Sequence, residues 1–243
     1  GYDDLRPGQR EGIDSVVAGH DTRAVMRTGS GKSAIYQVAG LMRPGLTIVV
    51  SPLIALQKDQ VESLEAERDI RAAELNSTLS AKEREALFDA LETTEGMFLF
   101  LAPEQLANGE VLERLGALKP TLFVVDEAHC ISEWGHDFRP DYLRLGAAIE
   151  TLGRPVTLAL TATAAGPVRE EIIDALGMRS PNVFVRDFDR PNIHLAVQRF
   201  DDADDKLAAL LEYVETHDGP GIVYAATRQD TESIAAALAD KRI

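Results

Sequence analysis

Cysteine is nearly absent: Cys130 is the only one in 243 residues. An internal disulfide is therefore impossible, and so is a zinc cage built on several thiolates. Basic residues are also short. Lys and Arg number 25 against 40 Asp and Glu, a formal net charge of −15. A broad cationic face that grips nucleic acid through its phosphates is not expected, although a small local contact fits that balance. No apolar run approaches the roughly 20 residues of a membrane span. The opening GYDDLRPGQR has no charged-then-apolar leader pattern. Aromatics make up only 6 %, with a single tryptophan. The expectation is a soluble, reduced, cytoplasmic setting (nucleoid-associated if bacterial), with a monomeric protein and no membrane partner.

What is present is an ordinary globular composition, 45 % hydrophobic and 27 % charged. The length suits one large domain, or one domain plus part of another. Short runs rich in β-branched residues alternate with helix-like stretches. Strands are expected at Arg23–Met26, Leu46–Ser51, Arg71–Leu75, Met97–Ala102, Thr121–Asp126, Val156–Thr161 and Asn182–Arg186. Several are apolar on both faces, as buried parallel strands are. SPLIALQKDQVESLEAE reads as a helix with Pro52 in its opening turn. SAKEREALFDALE reads as one with Ser80 as N-cap and Glu83 closing a capping box. This alternation predicts an α/β three-layer domain with a mainly parallel sheet. Asp201 to Asp205 reads as an acidic helix start, suited to the positive end of the helix dipole.

A first domain is expected over 1–187 and a linker over 188–194. A second α/β pattern follows over 195–243, with IHLAVQRF, a helix from about Ala203 to Thr216, a strand GIVYAA and a helix from about Gln229 to Lys241. About fifty residues are too few for a domain of this class, so the chain is expected to stop inside its second domain.

The stretch MRTGSGKS follows the first expected strand and opens a helix. Gly29 and Gly31 permit backbone conformations that a Cβ forbids, so that successive N–H groups can face phosphate oxygens. Met26, Arg27, Thr28 and Ser30 complete the loop. Lys32 supplies positive charge to the β and γ phosphates, and the Ser33 hydroxyl is placed for Mg²⁺. The general pattern has Gly where this chain has Met26. Partner carboxylates belong at the C-terminal end of a neighbouring strand. LFVVDE provides them: Asp126 for Mg²⁺, and Glu127 to orient and polarise the attacking water.

Behind that pair comes a crowd of reactive side chains: His129, Cys130, Trp134, His136, Asp137, Phe138 and Arg139. A metal site from His129, Cys130, His136 and Asp137 matches no recognised zinc spacing. A Cys130–His nucleophile pair lacks an orienting third group. Buried filling by Cys130, and hydrogen bonding within the loop by His136 and Asp137, are the plainer alternatives.

In order, GYDDLRPGQ, MRTGSGKS, VVSPLIALQKDQV, FLAPEQL, VVDEAHCISEWGHDFRPDYLRLG, LALTATA and FDRPNIH resemble the RecQ family of superfamily 2 DNA helicases. GIVYAATRQDTE resembles the opening motif of that family's second motor domain. The resemblance implies a RecA-like ATP-binding domain followed by the start of a second, and a 3′-to-5′ helicase using ATP and Mg²⁺ on single-stranded and duplex DNA. It implies that Tyr2 stacks on adenine, that Arg6 and Gln9 read its edge, and that Lys32, Asp126 and Glu127 serve hydrolysis. It further implies that His129 couples the carboxylates to the next loop, that Trp134, Phe138 and Arg139 sense single-stranded DNA, and that Thr161 and Thr163 link hydrolysis to domain movement. Leu5 stands where the family usually has Phe. The family's later second-domain motifs, including the arginine that reaches the γ-phosphate, and its zinc-binding and winged-helix regions lie outside these residues. These 243 residues alone are expected to bind ATP but not to unwind DNA. Two other readings share the phosphate loop: a nucleic-acid-dependent remodeller that translocates without unwinding, and a small-molecule P-loop transferase. The last gives no reason for WGHDF or TAT.

Overall fold

A computed structural model describes residues 4–66, 70–94, 96–132, 138–162, 166–186 and 193–241. Contacts divide the chain into two compact units, Gly1–Asp189 and Arg190–Ile243. The expected linker at 188–194 falls largely outside the described residues.

The first unit holds a seven-stranded sheet among its described residues: β1 (Thr22–Val25), β2 (Thr47–Val50), β3 (Ala72–Leu75), β4 (Phe98–Leu101), β5 (Leu122–Val125), β6 (Val156–Thr161) and β7 (Asn182–Val185). Their order is β3-β4-β2-β5-β6-β1-β7, and every described pairing is parallel. Parallel neighbours need crossovers, and the helices supply them. α1 (Gln9–Val17), α2 (Ser33–Met42) and α3 (Ile54–Ala66) cover one face. α4 (Ala81–Thr93), α5 (Gly109–Ala117), α6 (Leu145–Thr151) and α7 (Gly166–Leu176) cover the other.

Alternation along each strand divides the core in two. Val49, Phe98, Phe100, Leu122 and Val124 pack beneath α1 and α2, with Ile13, Val16, Ile35 and Tyr36. Ile48, Val50, Leu99, Leu101, Phe123 and Val125 face the other way, onto Phe88, Leu115, Ile149 and Ile172. A strand apolar at every position is what two covered faces require.

Ser80 and Glu83 form the expected capping box. Ser80 N–H donates to Glu83 Oε2 at 2.8 Å, and Glu83 N–H donates to Ser80 Oγ at 3.3 Å. Pro52 lies just before α3 rather than inside its first turn. Helix α6 meets α7 closely at Gly146: a Cβ there would lie 2.2 Å from the Ala175 carbonyl oxygen. Backbone cannot yield as a side-chain tip does, so Gly146→Ala should cost about 2–3 kcal/mol. A urea titration should show the midpoint fall accordingly, and an unchanged midpoint would mean that the two helices are not held this tightly.

In the second unit α8 (Ala203–Thr216) and α9 (Arg228–Asp240) form. Asp202 caps α8, accepting from Asp204 N–H at 2.6 Å, and Thr227 caps α9, accepting from Asp230 N–H at 3.1 Å. The acidic run is thus a helix start. The expected strand GIVYAA does not form, and IHLAVQRF takes no regular secondary structure among the described residues. A strand exists only where neighbours satisfy its backbone groups. Here Leu195 is 88 % exposed and Tyr224 89 %.

Candidate functional site

Strands β1, β6 and β5 lie side by side, so their C-terminal ends bring three loops together. The phosphate loop leaves β1, Thr161 ends β6, and the acidic pair follows β5. Backbone bonds fix the arrangement. Met26 N–H donates to the Thr161 carbonyl at 3.0 Å, and Asp126 N–H to the Val50 carbonyl at 2.9 Å.

Gly29 and Gly31 take φ of 78° and 79°, the left-handed region that the loop was expected to need. Gly31 has a second reason to be glycine: a Cβ there would lie 2.5 Å from Gln9 Nε2. Met26 is buried, with its side chain in the core under α1 and α2. It does not intrude on the loop, which explains why Met serves where the general pattern has Gly. Arg27 and Thr28 are exposed. Lys32 Nζ donates to the Met26 carbonyl at 3.4 Å.

Gln9 is fully buried and its amide is committed to the loop. Nε2 donates to the carbonyls of Ser30 and Gly31 at 3.2 and 2.8 Å, and Oε1 accepts from Arg6 N–H at 2.7 Å. The Arg6 guanidinium donates to the Gly29 carbonyl. Both residues expected at the adenine edge thus reach the backbone of the phosphate loop here. Tyr2 lies outside the described residues.

The two carboxylates differ in their electrostatics. Burial, reinforced by the neighbouring Glu127 charge, raises the Asp126 pKa from 3.8 to about 6. Hydrogen bonding from Glu127 N–H (3.0 Å to Oδ1) and the charges of Lys32 and His129 oppose this only in part. The Glu127 pKa is lowered, first by His129 and then, against a burial cost, by Lys32. Glu127 also adopts a left-handed backbone, φ 46° and ψ 47°, which is unusual outside glycine and turns the chain sharply after β5. His129 Nδ1 sits 3.0 Å from Thr161 Oγ1 and 3.3 Å from Glu127 Oε2, an ion pair whenever the imidazole is protonated. One imidazole nitrogen therefore touches both the Glu127 carboxylate and the end of β6.

The donor set fits Mg²⁺. This cation takes one or two protein oxygens together with phosphates and waters, rather than a full protein cage. Ser33 opens α2 directly after the loop and Asp126 follows β5, a hydroxyl and a carboxylate of the kind this cation takes. Among the described residues no group of three or more His, Cys, Asp or Glu is arranged to hold a metal ion.

Beyond the acidic pair, Arg139 Nη1 donates to the Pro52 carbonyl at 2.7 Å, and Arg139 N–H to the Cys130 carbonyl at 2.9 Å. The stretch after β5 is thereby tied to the turn between β2 and α3. Phe138 is half-buried and Cys130 buried. Trp134, His136, Asp137 and Thr163 lie outside the described residues. Two buried tyrosines had no assigned role in the sequence reading. Tyr142 donates from its hydroxyl to the Asp126 carbonyl at 3.1 Å, and Tyr36 donates to Gln60 Oε1 at 2.9 Å. For Tyr36 a signal existed: it stands three residues after Ser33, on the same face of a helix. No helix among the described residues is long and apolar enough to cross a membrane.

The model of the DEAD/DEAH box helicase family matches residues 6–172. The probable ATP-dependent DNA helicase RecS of Bacillus subtilis is 42 % identical over 99 % of this chain and 48 % of its own length. The ATP-dependent DNA helicase RecQ of Pasteurella multocida is 38 % identical over all of this chain and 38 % of its own. The chain thus spans less than half the length of either. Among solved structures, the DUF1998 helicase MrfA superposes with a TM-score of 0.70 at 21 % identity, covering 99 % of this chain and 39 % of that one. Mycobacterium smegmatis Lhr bound to ssDNA and AMP-PNP gives 0.63 at 19 %, covering 99 % and 34 %. At those identities the superpositions establish the RecA-like helicase fold. With its phosphate loop and acidic pair at adjoining strand ends, the chain belongs to the DEAD/DEAH box helicase family and is similar over its whole length to RecS and RecQ helicases.

Proposed function

We propose that this protein is the motor of a 3′-to-5′ DNA helicase, coupling ATP hydrolysis to movement along single-stranded DNA and to duplex unwinding. The observation that carries the reading is His129, whose Nδ1 contacts both Glu127 and Thr161. Hydrolysis and the neighbouring strand end are thereby mechanically joined. Polarity comes only from the RecQ resemblance.

In this reading the phosphate loop and Lys32 cradle the β and γ phosphates, and Gln9 and Arg6 hold the loop in shape. Tyr2 stacks on adenine. Ser33 and Asp126 hold Mg²⁺, which offsets phosphate charge when bound. Glu127, kept ionised by His129 and Lys32, orients the attacking water and draws its proton. Trp134, Phe138 and Arg139 report single-stranded DNA; the Arg139 bond to Pro52 supports a path from that loop to the β2–α3 turn. Thr161 and Thr163 pass the change onward. The acidic net charge is compatible with a local, salt-sensitive contact. The 243 residues by themselves bind nucleotide, hydrolyse it slowly and do not unwind DNA; robust unwinding by them would overturn that statement. The setting is cytoplasmic.

The test is ATP turnover of the full-length protein with and without single-stranded DNA. Wild type should be stimulated. Trp134→Ala should keep nucleotide affinity and lose stimulation by about tenfold or more, the scale of one lost base–aromatic stack. Normal stimulation of Trp134→Ala removes the sensing role. A wild type indifferent to every DNA sinks the motor reading. Strand displacement separates a helicase from a remodeller that only translocates.

A further inference from the structure

Glu127 keeps its left-handed backbone, φ 46° and ψ 47°, although a residue with a Cβ relaxes toward the right-handed or extended regions unless its surroundings hold it. Three hydrogen bonds flank it. Before it lies the Asp126–Glu127 peptide group, whose N–H donates to Asp126 Oδ1 at 3.0 Å and whose carbonyl accepts from the Tyr142 hydroxyl at 3.1 Å. After it, the Glu127 carbonyl accepts from Cys130 N–H at 2.9 Å. The first and last of these are local, made within three residues. The Tyr142 bond comes from 16 residues further along the chain. Its direction is fixed, because a carbonyl only accepts and the phenol must donate.

Tyr142 is fully buried, in the same core cluster as Cys130, Ile131 and Leu145, so packing sets where its hydroxyl stands. It closes a turn that begins at Arg139. Tyr142 N–H donates to the Arg139 carbonyl at 3.0 Å, and Arg139 N–H to the Cys130 carbonyl at 2.9 Å. Arg139 Nη1 donates to the Pro52 carbonyl at 2.7 Å. One short turn is thus tied to the β2–α3 connection, to the turn after β5 and to the acidic pair. We propose that Tyr142 is a positioning residue for Glu127: its hydroxyl pins the Asp126–Glu127 peptide and thereby holds the carboxylate where it orients water. His129 acts on the Glu127 side chain, whereas Tyr142 acts on the backbone that carries it. The inference rests on the water-orienting role given to Glu127 above.

The test is single-turnover ATP hydrolysis by the full-length protein at saturating single-stranded DNA, with binding of a fluorescent ADP analogue measured on the same preparation. Tyr142→Phe keeps the ring and removes the oxygen. Its rate should fall about tenfold, the scale of one net hydrogen bond, while its affinity for the analogue stays within about twofold of wild type. In a Glu127→Gln background the carboxylate to be positioned is already gone. There Tyr142→Phe should lower the rate by less than about twofold, since two changes acting through one group do not add. Leu115→Ala, a truncation in the buried core on α5, controls for lost stability, and well below its melting temperature it should hydrolyse ATP like wild type. Full additivity in the double variant, an equal loss in Leu115→Ala, or a Tyr142→Phe chain that does not fold would show a merely structural bond and overturn the inference. If Glu127→Gln loses turnover and Tyr142→Phe matches wild type, this inference alone fails. If Glu127→Gln hydrolyses ATP normally, the water-orienting reading fails and this inference with it.

Discussion

Glu127→Gln should lower DNA-stimulated ATP turnover by about a thousandfold, within the range for loss of a positioned base, while nucleotide affinity changes little. Three features of Glu127 lead there. Its backbone is left-handed, so the chain turns at Glu127 between β5 and the helical turn that follows. Its pKa is lowered, by His129 foremost, so at neutral pH it is ionised and able to accept a proton. Its Oε2 lies 3.3 Å from His129 Nδ1. Glutamine preserves the shape and the chain turn but can neither accept the proton nor attract the imidazole. In the proposed reading binding depends instead on the loop, Lys32 and Asp126, whose side chains the substitution keeps. Single-turnover hydrolysis and analogue binding on the same preparation separate the two quantities. Turnover within tenfold of wild type would remove Glu127 from the water-activating role.

Asp126→Asn should do two opposite things: abolish Mg²⁺-dependent nucleotide binding and make the ligand-free protein more stable. The carboxyl titrates near 3.8 when unfolded and at about 6 in the fold. Between those values the unfolded chain has released the proton and the folded one has not, so raising the pH favours unfolding. The stabilising contribution of the protonated form is full below pH 3.8 and lost as pH rises through about 6. Ionised at pH 7.5, the buried carboxylate costs about 3 kcal/mol. Asparagine has no charge to bury, and its carbonyl can still accept the Glu127 N–H. The melting temperature at pH 7.5 without nucleotide should rise by roughly 5–10 °C. The gain should shrink as the pH is lowered toward 4. A lower melting temperature at pH 7.5 would mean that Lys32 and His129 already compensate the charge. This cost also gives a physical reason for the site's design: an unfavourably buried anion is one that a cation will relieve.

Much of the fold was legible because its rules are local. The lack of polar–apolar alternation told that β4 and β5 are covered on both faces, since every residue in them is apolar. Ser80 with Glu83 specified a helix start through two short hydrogen bonds. MRTGSGKS and LFVVDE carried their chemistry in residue type and spacing, and strand–helix alternation implied that their ends meet. Where the reading departed from the structure, the missing information was a neighbour. IHLAVQRF and GIVYAA have strand composition, but a strand is a relation between chains, and no described segment pairs with them. For Gln9, expected to read the adenine edge, the structure adds a contact with the phosphate loop. Nothing in GYDDLRPGQ reveals that a loop some twenty residues onward presents two carbonyls at the distance its amide needs.

By itself, the sequence determined the family, the parallel α/β plan, the phosphate loop and the acidic pair, because each is written in contiguous residues whose backbone demands are met within a turn or two. Only the tertiary structure decided that Met26 is harmless, that Asp126 and Glu127 have opposite pKa shifts, and that Arg139 ties onto Pro52. It alone brought Tyr36 against Gln60. Those outcomes depend on burial and on distances between residues far apart in the chain. Desolvation, Coulomb energy and hydrogen bonding all act through space, whereas spacing along the sequence records only order.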